Sequence, residues 1–295
     1  MTSESAGAVL IRPTPVGHRT VANSFQVTAR RIQAYAASVR DTNPRYFDDL
    51  RDGGLIGHPG LAFSFQWNSR ARPDRSPPPR SAAGVHAWTD LRIERPFLEG
   101  DVITSQGEAV SVEQVSSGVL SVDRYRMTDA SGALVAELDM GGIALGGTLE
   151  GEPTPAAELR LPEVPLASEP LWVEQIEVPG DAAQIYTECA QIYNPIHTER
   201  RVALDAGLPD IILHGSATQA MAISAIVDHA LDGDPSRVRR FYAQNRAMVL
   251  MDSTIEVRGL GVSTLADGTC AVRFDVRTAD GAPALDRGVL MASAA

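Results

Sequence analysis

A chain of 295 residues, 44% apolar and 21% charged, fits one large domain or two of ordinary size and is too apolar for disorder. Its net charge of -11 disfavours nucleic acid and anionic membranes as partners, although a local basic patch can still take an anionic small molecule. The only cysteines, Cys189 and Cys270, lie in amphipathic or strand-like surroundings and read as buried thiols, not a disulfide. No Cys/His set has metal-ligand spacing, so neither metal nor cofactor is expected. The first residues, MTSESAGAVLIRPTP, lack a basic stretch followed by an apolar core, and no run of about 18 apolar residues occurs. A signal peptide and a membrane span are therefore not expected, and the cytoplasm is the default location.

In chain order, the first periodic segment is RRIQAYAASVRDTNPRYFDD from Arg30, with Ile32, Tyr35, Ala36 and Val39 on one helical face and Thr28 placed to cap it. Alternating strands follow in VITSQGEAVSVEQV, VLSVDRYRMTD and ALVAELDMGGIAL. Then comes a Pro- and Glu-rich stretch without periodicity, Gly147 to Pro170, read as a linker. After it the order starts again. A helix with Ala182, Ile185, Cys189 and Ile192 on one face follows Asp181 as its cap. An Asn-Pro turn places Pro195 at the first position of a short helix, with Gly207 just past its end. A longer helix runs from about Gly215 to Leu231, with Ala217, Ala220, Met221, Ser224 and Val227 on one face. Strands STIEVRGLGV and TCAVRFDVRTA close the chain.

The two halves share landmarks in the same order. Tyr35 matches Tyr186, and Asn43-Pro44 matches Asn194-Pro195. RPFLEGDVI from Arg95 matches RAMVLMDST from Arg246, each with Arg and Asp six apart. A Gly-containing turn and a last apolar strand, GGIAL and RGVLM, end each half. A helix followed by an antiparallel sheet wrapped around it is an α+β unit, and two such units pack as a pseudo-dimer. The expected organisation is an N-terminal repeat over residues 1–146, a linker over 147–170 and a C-terminal repeat over 171–295.

The stretch NPIHTERRVALDAGLPDIILHGSATQAMA resembles the MaoC-like, (R)-specific enoyl-thioester hydratase family, and the Arg95 to Asp101 turn resembles a second motif of that family. The resemblance covers nearly the whole chain. It implies a double hotdog, in which two tandem repeats each wrap a curved antiparallel sheet around a long helix. It also implies a lyase acting on an acyl-coenzyme A or acyl-carrier-protein thioester, and a homodimer of the double-hotdog chain is one further assembly. The family's motif is an Asp, any residue, then Asn-Pro-aliphatic-His. Its histidine position falls on His197, its asparagine on Asn194 and its helix-opening glycine on Gly215, directly after His214. Its aspartate position falls on Ile192. In the first half the aspartate is kept as Asp41, before Asn43-Pro44, and the histidine position is Tyr46. Each half thus keeps one member of the dyad and lacks the other.

The chemistry explains the pattern. Hydrating a 2-enoyl thioester needs a base for water and an acid for the α-carbon, and one neutral histidine can serve as both in turn. The oxygen that gains charge is stabilised by a backbone N–H at a helix start. The expected catalytic set is His197 as acid/base, Gly215 as oxyanion donor and Asn194 as orienting group. Ile192, Tyr193, His214, Arg240 and Arg246 are the expected substrate-binding set. Each has a plainer reading beside it. His197 can satisfy a buried turn, Asn194 can be a helix cap, His214 can close a turn, and Asp41 can be an ordinary turn residue. Arg237, Arg239, Arg240 and Arg246 can be a solvated face, or the best local patch for a phosphate. The other basic candidate is the Pro-rich loop from Arg70 to Arg80. Because Ile192 replaces an acid, an isomerase, cyclase or thioesterase on the same scaffold remains an alternative, as does a non-catalytic thioester-binding subunit.

Overall fold

Alternation of apolar and polar residues builds most of this molecule, and the computed structural model describes residues 9–70 and 84–294. In the first repeat, strands β1 (Val9–Ile11) and β2 (Asn23–Gln26) precede helix α1 (Ala29–Ser38). A 3-10 turn (Pro44–Tyr46), helix α2 (Leu61–Asn68) and strands β3 (Gly84–Ile93), β4 (Val102–Val115), β5 (Gly118–Thr128) and β6 (Leu134–Leu145) complete it. Strand β7 (Gly147–Leu149) opens the connecting segment. The second repeat carries β8 (Trp172–Val178), α3 (Ala182–Ala190), a 3-10 turn (Pro195–His197), α4 (Arg200–Asp205) and α5 (Gly215–Ala230). A third 3-10 turn (Pro235–Arg237) leads to β9 (Val238–Asn245), β10 (Ser253–Thr264), β11 (Cys270–Thr278) and β12 (Pro283–Ala292).

Ten strands form one antiparallel sheet in the order β2-β4-β5-β6-β3-β9-β12-β11-β10-β8. The order is a palindrome of the two repeats: each contributes five strands, and β3 and β9 join them at the centre with Leu91 opposite Phe241. This is the double hotdog. Inside it, α1 and α3 lie side by side and the two matched tyrosines meet, Tyr35 Oη to Tyr186 Oη at 3.2 Å, both fully buried. The aligned landmark in the sequence is therefore the seam between the repeats. Helix α5 is buried continuously from Ala217 to Val227. Its many small residues let the sheet close on it. Burial of each large apolar strand residue, such as Ile255, Val257 or Phe274, contributes about 1.5–3 kcal/mol.

Local caps follow the sequence in part. Thr28 caps α1, its hydroxyl accepting from Arg31 N. Asp181 occupies the N-cap of α3 but its side chain makes no cap hydrogen bond. Gly207, just past α4, has φ +81°, the left-handed conformation that glycine tolerates without strain. The segment read as a linker is tied to the sheet: β7 pairs in parallel with β1, Thr154 bridges to Val112, and Ala167 N donates to Leu260 O. Cys189 and Cys270 are free thiols and half-buried. The loop from Arg70 to Arg80 lies, except for Arg70, outside the described residues.

Up to Asn245, the basic stretch SRVRRFYAQNR departs from both expected readings. From Val238 to Asn245 it is a central strand, with Phe241 and Ala243 in the core and Arg240 on the opposite face. There the Arg240 guanidinium grips both oxygens of buried Asp90 in the other repeat, at 2.7 and 2.9 Å, and also donates to Arg160 O. Arg92 reaches Asp90, Glu137 and Asp139 on that same face. Arg237 pairs with Asp232, and Arg239 donates to Ser236 O and Val238 O. Arg240 and Arg92 thus tie strands together, while the bonds of Arg239 are to its own segment. Only Arg246, just past the strand, is exposed and without a carboxylate partner.

Candidate active site

The site forms where the Asn-Pro turn after α3 meets the first turn of α5. Helix α3 ends on Gln191, whose φ of +57° redirects the chain. Ile192 follows, buried at 4% exposure in the core that includes Tyr186, Leu213 and Ala217. Pro195 opens the 3-10 turn and presents His197 at its end. Tyr193 is exposed, and its hydroxyl donates to Glu199. Asn194 sits at the N-cap position, yet its side chain makes no cap hydrogen bond. The plain capping reading thus fails for Asn194, whereas its counterpart Asn43 does cap, accepting from Arg45 N and donating to Gly233 O.

His197 is half-buried, and its Nδ1 lies 2.8 Å from Ile212 O. A carbonyl only accepts, so the proton is on Nδ1, and Nε2 carries a bare lone pair without a partner among the described residues. The ring stacks on His214 with centroids 3.8 Å apart. His214 is the N-cap residue of α5; its Nε2–H donates to Ile192 O at 3.2 Å, with Thr187 Oγ1 at the same distance. Burial pushes the His197 pKa down to about 4. Burial, and then the neighbouring His197, push His214 lower still. Two neutral imidazoles therefore stack at neutral pH. His214 Nδ1, Thr198 Oγ1 and Gln219 Oε1 are buried in this region without a protein hydrogen-bond partner, and such atoms call for a water or a ligand.

Gly215 opens α5, so its N–H precedes the intrahelical bonds and lies at the positive end of the helix. Its φ is not in the left-handed region, so the backbone does not demand glycine here. The space is tight: a Cβ at Gly215 would sit 3.2 Å from Asn245 Oδ1, so the amide would have to shift by a few tenths of an ångström to admit one. The structure thus brings together His197, His214, Gly215 and Ile192 from the expected set, with Asn194 on the same turn and Arg246 one residue past Asn245. Arg240, on the outer face of the sheet, is not among them.

The first repeat holds a counterpart that the sequence motif reveals only in part. Asp41 is buried, and its Oδ1 accepts from Asn43 N at 2.8 Å. Its Oδ2 lies 3.8 Å from Nε2 of fully buried His58, which also touches Ser224 Oγ at 3.1 Å, while His58 Nδ1 accepts from Gly60 N. Burial pushes the His58 pKa down to about 4, with Asp41 opposing. Tyr46, at the lost histidine position, is fully buried. His58 is the partner of His214: GHPGLAF before α2 answers LHGSATQ before α5. That signal was available in the repeat, but a Pro intervenes and the spacing from Asn-Pro differs. The polar cluster is sealed inside the protein. Asp41→Asn is therefore expected to leave turnover within a few-fold of wild type and to lower stability by about 1–3 kcal/mol, the range for a compromised buried hydrogen-bonding group. Rates and thermal melts measured together check this, and loss of turnover in a well-folded variant would return Asp41 to the chemistry.

Comparison with known proteins agrees with the fold and the motif. Residues 164–275 match the MaoC like domain, and residues 14–138 match the FAS1-like, dehydratase domain region. Enoyl-CoA hydratase ChsH3 of Mycobacterium tuberculosis is 29% identical over 181 residues, 61% of this chain and 54% of that protein. Fatty acid synthase subunit beta of Aspergillus oryzae is 39% identical over 83 residues, 28% of this chain and 4% of that much longer protein. The chain thus spans between a twenty-fifth and about half of these relatives' lengths. Among solved structures, the MaoC-like dehydratase from Phytophthora capsici superposes with a TM-score of 0.78 at 19% identity, covering 95% of this chain and 96% of that one. Fold and site define a double-hotdog protein built from two dehydratase-type repeats. Its C-terminal repeat carries a MaoC-like domain and its N-terminal repeat a FAS1-like dehydratase region.

Proposed function

We propose that this protein is a hydro-lyase that adds or eliminates water between 2-enoyl and 3-hydroxyacyl thioesters carried on coenzyme A or an acyl carrier protein. The observation that carries the reading is His197: a neutral imidazole, fixed in its tautomer by Ile212 O, with a free Nε2 beside the start of α5. In the hydration direction Nε2 takes a proton from water as the oxygen bonds to the β-carbon. Electron density moves through the α-carbon onto the thioester oxygen, where the Gly215 N–H stabilises it. The imidazolium then returns the proton to the α-carbon, which restores the carbonyl. Asn194, with an amide not engaged in capping, orients the water or the thioester. His214 holds the turn and stacks under His197.

The site is atypical in having Ile192 at the position of the acid. Arg246 is the cation for a carrier phosphate. The matching Arg95 is locked to Asp101 at 2.7 Å and to Asp129, whereas Arg246 is exposed with no carboxylate partner. No helix among the described residues is long and apolar enough to cross a membrane. The test is a mass-spectrometric screen of 2-enoyl and 3-hydroxyacyl thioesters of varied chain length for the gain or loss of one water. A panel without such a shift, under conditions where thioester binding is detected, removes the hydro-lyase reading.

A further inference from the structure

Asn245 is part of no sequence motif, yet its amide borders Gly215, the residue whose N–H is the proposed oxyanion donor. It is the last residue of β9, and strand alternation puts it with Phe241 and Ala243 on the side facing α5. The space that a Cβ on Gly215 would occupy is bordered by the Asn245 amide, at 3.2 Å from Oδ1, 3.4 Å from Cγ and 3.5 Å from Nδ2. The amide is held at both ends. Nδ2 donates to His86 O at 3.1 Å, and Oδ1 accepts from Gln219 Nε2 at 3.2 Å. Because a carbonyl cannot donate, the first contact fixes which end of the amide is nitrogen. The two anchors come from different repeats: His86 from β3 of the first, Gln219 from the second turn of α5. An amide nitrogen carries two N–H groups, and only one is used on His86 O.

We infer that Asn245 is a catalytic residue: its remaining Nδ2–H, beside the Gly215 N–H, is the second donor to the thioester oxygen. The inference rests on the hydro-lyase reading above and deepens it. Two donors fixed before the substrate arrives stabilise a developing oxyanion without reorganising, which is where such donors are most effective. The arrangement also gives the first repeat a part in the site through its backbone at His86, although its own Asp41 and His58 are buried. Glycine at position 215 leaves the Asn245 amide where it is, whereas a methyl group there would press on it.

The test uses the full chain and a conjugated dienoyl-coenzyme A, whose absorption band moves to the red when its carbonyl is polarised. A 2-enoyl-coenzyme A that the wild type hydrates serves for turnover. Asn245→Asp keeps the size and the acceptor but removes the donor; Asn245→Ala removes both. Each is expected to lower kcat about 10²–10³-fold, the range for one lost oxyanion donor, with KM within a few-fold and a smaller red shift of the bound probe. Gly215→Ala, which presses a methyl carbon onto the amide, should move the spectrum in the same direction while α5 stays folded. A red shift and kcat that stay at wild-type level in folded Asn245→Ala overturn the assignment and leave the hydro-lyase reading intact. A wild-type protein that neither binds nor turns over any such thioester sinks that reading, and the role of Asn245 with it.

Discussion

Replacing His197 with alanine should lower turnover about 10²–10⁴-fold, the range for a lost general acid–base group, with only a small drop in thermal stability. The imidazole is half-buried and makes one hydrogen bond, to Ile212 O. Its removal sacrifices that bond and the stacking on His214. The turn itself stays fixed by Pro195 and by the backbone bonds His197 N to Asn194 O and Thr198 N to Pro195 O. The pH dependence separates this role from a structural one. Both directions of the reaction start from neutral imidazole, and burial holds the His197 pKa down to about 4. The rate should therefore persist below pH 6 and fall only as pH approaches 4. Stability moves with the opposite partner in view. An unfolded histidine binds its proton near pH 6.5 and the folded one only near 4, so between these values the unfolded state holds more protons. Stability is then lost as pH falls from about 6.5 towards 4, and His197→Ala should lessen that loss. Urea midpoints at pH 7 and pH 5 measure it. A folded His197→Ala protein with unchanged turnover would remove the residue from the mechanism.

What could be read in the sequence divides along physical lines. Strands with one wet face were legible, because VITSQGEAVSVEQV alternates over its first ten residues, up to a register shift near Ser111, and is β4 from end to end. Helix α5 was legible from its face and from the glycine that opens it, ending at Ala230 rather than Leu231. The two strands at the centre of the sheet were not. In β9 the inward face is only Val238, Phe241 and Ala243, and the outward arginines suggest a surface patch. Only the structure shows that Asp90, across the seam, neutralises Arg240. Helix α2 escaped because LAFSFQWN has only eight residues and is buried on nearly every side, which leaves no period to detect. The site divides in the same way. Residues on one local motif, from Ile192 to His197, were visible, whereas His58 and Asn245 gain meaning from neighbours outside any local motif, Ser224 and His86 among them.

Exchanging Ile192 for aspartate should create or increase hydration of crotonyl-coenzyme A and lower activity on the natural substrate. Ile192 is a buried side chain whose main chain already serves the site: its carbonyl holds His214 Nε2–H, and its N–H donates to Thr187 O. Those contacts survive any substitution that keeps the backbone, so the change isolates the side chain. An isoleucine excludes water and, by desolvation, favours neutral imidazole. A carboxylate there would pair with an imidazole, raise its pKa and help to hold the attacking water. The lack of such a group elsewhere is worth about 3–4 kcal/mol in rate, by analogy with other removed catalytic groups. The new acid enters a core, so stability should fall by a few kcal/mol, about 2–5, if it remains unpaired. It should fall less if a histidine answers it. The two effects are read separately, one in a crotonyl-coenzyme A assay and one in a thermal melt. A gain in hydration together with loss of the natural activity would mean that Ile192 shapes a drier pocket for a particular substrate. If the wild type already hydrates crotonyl-coenzyme A rapidly and Ile192→Asp adds nothing, His197 activates the water without an acid at position 192, and another group orients it. The unengaged amide of Asn194 would then be the first to substitute.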